Sequence, residues 1–152
     1  MQRKGQSALE YLMTYGWAIL IIIIVGGVLY YYGVFSPGQL VGESKVGFSK
    51  VQIDTWSVES GTDDINFILE NRAGKEINIT EITVGSGTNE VTNALSPEIN
   101  LQAGERSESF ETVNSPSIEQ GETYKWDITI TYYMTDYAGT NFTSSGSLSG
   151  TA

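Results

Sequence analysis

Between Tyr11 and Gly42 the chain carries no charged residue, and from Trp17 to Phe35 it is almost wholly apolar. The segment Ile19-Leu20-Ile21-Ile22-Ile23-Ile24-Val25 leaves no polar face at helical spacing. A helix on the surface of a globular domain needs such a face. This run therefore restricts the chain to folds in which an apolar helix meets lipid, or other apolar helices, on every side. A helix from Gln6 to Phe35 would be roughly 45 Å long at about 1.5 Å per residue. The hydrocarbon core of a bilayer is about 30 Å thick, so such a helix spans it with a turn or more to spare.

Local signals bound the helix. Met1–Gly5 is short and basic through Arg3 and Lys4. Ser7-Ala8-Leu9-Glu10 fits the S-x-x-E capping box, which predicts a helix starting there. Gly33, followed by Ser36-Pro37-Gly38, supplies the stop signals. A cleaved signal peptide would have a shorter apolar core and a small-x-small site after it. Gly26-Gly27 serves that role poorly, and Tyr30-Tyr31-Tyr32 suits a membrane–water boundary instead. A plain single-pass anchor has the same hydropathy. Glu10 is the residue that a plain anchor does not need.

Inserting a carboxylate into the apolar zone costs on the order of 2.5–3.5 kcal/mol, which a position in the first helical turn partly offsets through the helix dipole. Glu10 either caps the helix at the membrane surface or pairs with a cation. An amine freed at Gln6, on the same chain or on a neighbour, is one such cation.

After Ser36 the character changes to polar and acidic, rich in Ser, Thr, Asn and Gly. The 18 acidic residues outnumber the 8 basic ones, giving a net charge of −10. That charge disfavours contact with a phosphate backbone, so no nucleic-acid partner is expected. Cysteine and histidine are absent, which removes disulfides, thiolate chemistry and the common zinc and iron sites. A serine hydrolase would lack its histidine base. Asp63-Asp64 with Asn66 has no calcium-loop spacing, and turns favour Asp and Asn in any case. Gly85-Ser86-Gly87 is followed by neither a lysine nor a helix, so a phosphate loop is not supported. The expectation is a non-enzyme with no metal and no cofactor.

The polar region reads as β throughout. Tyr124, Trp126, Ile128, Ile130, Tyr132 and Met134 alternate with polar residues and Tyr133, predicting a half-buried strand. Ile65, Phe67 and Leu69 alternate likewise up to the turn at Asn71-Arg72-Ala73-Gly74. Ile77 and Ile79, then Ile82 and Val84, slip phase at Thr80-Glu81, which predicts a bulge. Val46-Phe48, Val51-Ile53 and Trp56-Val58 slip phase twice, as one bulged strand or two short ones would. Ile99-Leu101, Ser109–Val113 and the tail Asn141–Leu148 add short strands. Turns at this spacing indicate a sandwich of about seven strands. Trp56 and Trp126 could line a sugar-binding face, but their alternating positions assign them to the core. Asn78-Ile79-Thr80 and Asn141-Phe142-Thr143 are N-glycosylation sequons, a triplet that also arises by chance in sequence of this composition. Asn78 lies opposite in phase to Ile77 and Ile79, which puts it outside.

The segment Lys4-Gly5-Gln6-Ser7-Ala8-Leu9-Glu10-Tyr11-Leu12, with the apolar run behind it, resembles the class III signal peptide of archaeal type IV pilins. In that family a prepilin peptidase cuts after the Gly that follows a basic residue, and the apolar helix stays attached as filament core. The resemblance implies cleavage between Gly5 and Gln6 and makes Glu10 the fifth mature residue. Ser7 follows Gln6 directly, whereas the family's usual pattern places Ser one residue later, at the position of Ala8. Archaellins, the motility-filament relatives, begin their helix with a Gly-rich, Ile/Val-rich run that this chain lacks. The stretches from Leu69 to Val84, Leu101–Glu105 and Gly121–Tyr133 resemble the immunoglobulin-like head of archaeal pilins.

The expected fold is α+β: a long N-terminal apolar α-helix followed by an immunoglobulin-like β-sandwich. The expected organisation is a basic leader at 1–5, a transmembrane or filament-core helix at 6–35, a hinge at 36–40 and a head at 41–152. The resemblance further implies copies of the chain itself, prepilin peptidase, the pilus assembly machinery and the cytoplasmic membrane as partners. The precursor would sit in that membrane and the mature subunit in an extracellular filament, for surface adhesion. A single-pass anchored sandwich that binds a ligand and never polymerises is the alternative.

Overall fold

The computed structural model of the chain describes residues 3–32 and 42–152, with side chains from Ala8 onward in the first segment. The chain divides into two compact units, Met1–Leu40 and Val41–Ala152. The first contains one helix, α1 (Arg3–Tyr31). It begins before Ser7, so the Ser7–Glu10 box lies inside the helix and does not start it. Arg3, Lys4 and Gln6 are good helix formers, and the lone Gly5 among them is not enough to break the helix. At the other end Tyr32 N–H donates to the Val28 carbonyl at 3.0 Å. The expected stop at Gly33 and the 36–40 hinge lie outside the described residues.

The second unit is all β. Eight strands, where about seven are expected from turn spacing, run β1 (Ser44–Gly47), β2 (Val51–Glu59), β3 (Asp64–Asn71), β4 (Ile77–Ser86), β5 (Asn89–Leu101), β6 (Glu111–Asn114), β7 (Thr123–Met134) and β8 (Phe142–Thr151). They form a five-stranded sheet in the order β1-β8-β7-β4-β5 and a three-stranded sheet in the order β2-β3-β6. All pairings are antiparallel. Hairpins β2-β3, β4-β5 and β7-β8 stay within a sheet, while β3 to β4, β5 to β6 and β6 to β7 cross between sheets. This is Greek-key connectivity of the immunoglobulin-like kind.

The core lies between the sheets, where alternation puts it. Tyr124, Trp126, Ile128, Ile130 and Tyr132 of β7 face Ile53, Trp56, Ile65, Phe67 and Leu69 of the smaller sheet, and all are buried. The bulge expected at Thr80-Glu81 is present. Register shifts between Ile79 and Glu81 against both neighbours of β4, and on β5 the partner jumps from Ile99 to Ala94. The double phase slip after Val46 has two causes. Phe48 adopts a left-handed φ of 57° and turns the chain from one sheet into the other. β2 then bulges at Asp54, between Ile53 and Thr55. Gly146 makes the corner possible, since a Cβ there would lie 2.5 Å from the Phe48 ring. Buried Ser144 secures it, donating to the Val51 carbonyl at 2.7 Å and accepting from Ser49 N–H at 3.0 Å.

Two hydrogen-bonded links close the open flanks of the sandwich. On one flank the Asn93 side chain of β5 imitates a strand partner for Asn114 of β6, donating to its carbonyl at 2.9 Å and accepting from its N–H at 3.0 Å. On the other, Lys45 of β1 donates to the carbonyls of Ile53 and Asp54 on β2, at 2.6 and 3.2 Å.

Candidate assembly helix

A helix turns by about 100° per residue, so Ile21, Ile22, Ile23 and Ile24 sample every direction around α1. Their exposures are 54, 69, 68 and 56%. No part of the most apolar window within Ala8–Tyr31 is buried, and its mean hydropathy is 2.3. The helix is long and apolar enough to cross a membrane, a property that signal sequences share. Leu12, Met13, Trp17 and Leu20 border a notch at Gly16. A Cβ at Gly16, Gly26 or Gly27 would meet nothing within 4 Å, so these glycines leave open space along the helix surface.

Glu10 is exposed in this apolar surface. Its backbone carbonyl accepts from the Thr14 hydroxyl at 3.0 Å, while its carboxylate makes no ion pair among the described residues. Lys4, Gly5 and Gln6, the expected cleavage residues, lie in the first turns of α1. Cleavage at Gly5–Gln6 would leave Glu10 one turn from the new N-terminus.

In the second unit, no buried side-chain nitrogen or oxygen among the described residues lacks a hydrogen-bond partner. Asn71 is fully buried, and its amide faces the carbonyls of Lys75, Leu101 and Gln102 while its oxygen accepts from Ala73 N–H. Trp56 and Trp126 are 9 and 7% exposed, which places them in the core and off any sugar-binding face. The Trp56 indole N–H donates across the two sheets to the Tyr124 hydroxyl at 2.8 Å, and the Tyr124 ring stacks on Trp126 with centroids 4.7 Å apart. Burial pushes the Tyr124 phenol above its usual range; the Trp56 hydrogen bond opposes that shift and the Glu43 carboxylate adds to it.

Of the residues weighed for calcium, Asp63 accepts from Ile118 N–H, and Asn66 bonds Ser57, Glu59 and Thr112. Among the described residues no three His, Cys, Asp or Glu side chains converge as metal ligands. The sequon residues differ. Asn78 is half-buried within central strand β4, whereas Asn141 is exposed just ahead of β8. Sequence reasoning missed the Asn93 and Lys45 closures, because neither residue carries a signal of its partner on a strand of the opposite sheet. No protein-family model matches this chain, and no characterised protein matches it in sequence.

Proposed function

We propose that the chain is the structural subunit of an extracellular, type IV pilus-like filament that polymerises through α1. The observation that carries this reading is the contrast between the two units. The β-sandwich buries its own apolar faces and satisfies its own buried polar groups, whereas α1 exposes apolar side chains in every direction. Burying even fifteen such side chains at about 1.5–3 kcal/mol each exceeds the stability of any single domain. Outside a bilayer, these helices are stable only against one another. Copies of α1 would form the core, and the sandwiches the outer sheath.

Cleavage between Gly5 and Gln6 by a prepilin peptidase would free the amine that Glu10 requires, since an unpaired carboxylate in a dry core is costly. Before assembly the precursor sits in the cytoplasmic membrane; the assembly machinery then extracts it into a surface filament that serves adhesion.

Electron microscopy and membrane fractionation of cells producing Glu10→Val test this, together with mass analysis of the mature N-terminus. The expected result is a wild-type chain beginning at Gln6, normal membrane insertion of both proteins, and fewer filaments from the variant. A mature chain that retains Met1–Gly5, or a wild-type protein found only as membrane-bound monomer, would replace this reading with the anchored binding module.

A further inference from the structure

Two sequons stand on the head, and they differ in what their atoms are already doing. We propose that Asn141, and not Asn78, is the site of an N-linked oligosaccharide. This rests on the reading that the head stands outside the membrane.

An asparagine amide is a poor nucleophile because its nitrogen lone pair is shared with the carbonyl. Transfer requires that the carboxamide rotate freely into an enzyme's site. In that step Nδ2 attacks the anomeric carbon of an oligosaccharide carried on a lipid phosphate. A C1–N bond forms as the C1–O bond breaks, the lipid phosphate leaves with the bonding electron pair, and one Nδ2 proton passes to a base of the membrane transferase. The sequon's hydroxyl residue must also be free to be recognised, which is why the motif reads as a surface loop.

Asn78 meets neither condition. It lies in β4 and is paired on one side with Asn100 and on the other with Tyr133. Its oxygen accepts from the Asn100 amide at 2.9 Å and its nitrogen faces the Thr135 hydroxyl at 3.4 Å. Thr80, which completes this sequon, is held in the bulge with its hydroxyl on the Thr131 carbonyl at 3.3 Å. Tyr133 sits on β7, yet its hydroxyl bonds Glu98 on β5 at 2.8 Å. Adjacent strands are about 4.8 Å apart, so the phenol must cross β4 beside Asn78 and occupies the space that a sugar would need.

Asn141 meets both conditions. It is exposed, it ends the connection from β7 to β8, and its carboxamide has no hydrogen bond among the described residues. Thr143 is exposed as well and its hydroxyl has no partner there. Phe142 between them stacks on Tyr132 with centroids 5.8 Å apart, which anchors the triplet while its two reactive residues point outward. The site lies at the end of the sandwich opposite Ser44, because β8 runs away from Asn141 toward its pairing with the start of β1.

The full chain is purified from the cells that make it, and its peptides are analysed by mass for wild type, Asn141→Gln, Thr143→Ala and Asn78→Gln. Protease added to intact cells reports whether the head is outside. The expected result is a protease-accessible head with a glycan mass on the peptide containing Asn141. That mass is lost completely in Asn141→Gln and Thr143→Ala and retained in Asn78→Gln. An accessible head with unmodified Asn141, or with the glycan on Asn78, overturns this inference and leaves the filament reading intact. A head protected from protease overturns both.

Discussion

Tyr124→Phe removes a single oxygen from the core of the sandwich, and the structure says what that oxygen does. The Trp56 indole N–H donates to it at 2.8 Å from the opposite sheet, and Trp56 is only 9% exposed. The variant keeps the ring that stacks on Trp126 and the space left by Gly150, where a Cβ would lie 2.7 Å from the hydroxyl. What changes is the indole N–H, which is left buried without an acceptor. Such an orphaned donor costs about 1–3 kcal/mol, more than the roughly 1 kcal/mol net value of an ordinary hydrogen bond. For a unit of this size each kcal/mol is worth about 4 °C in melting temperature.

The experiment is thermal and urea unfolding of the 41–152 unit, whose core is drawn entirely from its own residues. Adding Trp56→Phe and the double variant gives a coupling energy of about 1 kcal/mol. The same phenol predicts an alkaline limit. Its folded pKa is raised, chiefly by burial, as is that of Tyr132. The neutral form is therefore favoured by folding, and the stability it contributes is complete below about pH 10. It is lost as pH rises through the folded values, and Tyr124→Phe makes that loss shallower. A variant that melts with wild type, with an unchanged alkaline slope, would refute the claim that this bond joins the sheets.

Four further substitutions report on other parts of the head. Trp126→Ala should cost about 3–5 kcal/mol, whereas Thr129→Ala on the outer face, which loses only an exposed contact with Ser145, should stay within about 0.5 kcal/mol of wild type; paired melts of the two variants check the face assignment. Asn71→Ala should cost about 2–3 kcal/mol, because the carbonyls of Lys75, Leu101 and Gln102, from two separate segments, lose their shared donor; urea midpoints measure it. Gly146→Ala places a methyl against the Phe48 ring and should destabilise the corner by about 1–3 kcal/mol; partial rescue by Phe48→Leu in a double-variant cycle would confirm the contact.

The parts of this fold that are legible in the sequence are those governed by period. β7, β3 and the two halves of β4 declare themselves because each has one face in the core, so side-chain polarity follows the two-residue repeat. The bulge at Thr80-Glu81 is visible for the same reason, as a slip in that repeat. The first half of β5 is not, because it is an edge strand whose side chains are half or fully exposed from Asn89 to Ala94. Its pairing is carried by backbone groups, which leave no mark on composition. The start of α1 is misplaced because Ser7–Glu10 has the letters of a cap inside a stretch that is already helical. The apolar surface and Glu10 are plain in sequence; only the structure separates the two sequons, since their difference lies in hydrogen bonds between strands.

The closures by Asn93 and Lys45 bear on how such domains behave when crowded. A sandwich with open flanks offers bare edge strands to its neighbours, and copies held side by side would meet those edges at high local concentration. Here the main chain of Asn114 on one flank, and of Ile53 and Asp54 on the other, is already engaged within the molecule. Pro97 further along β5 has no N–H to offer an incoming strand. Strand addition at these points of β2 and β6 therefore competes with bonds already made within the head. At those two flanks, a misjoined array of densely packed heads would have to break a native bond before it could form.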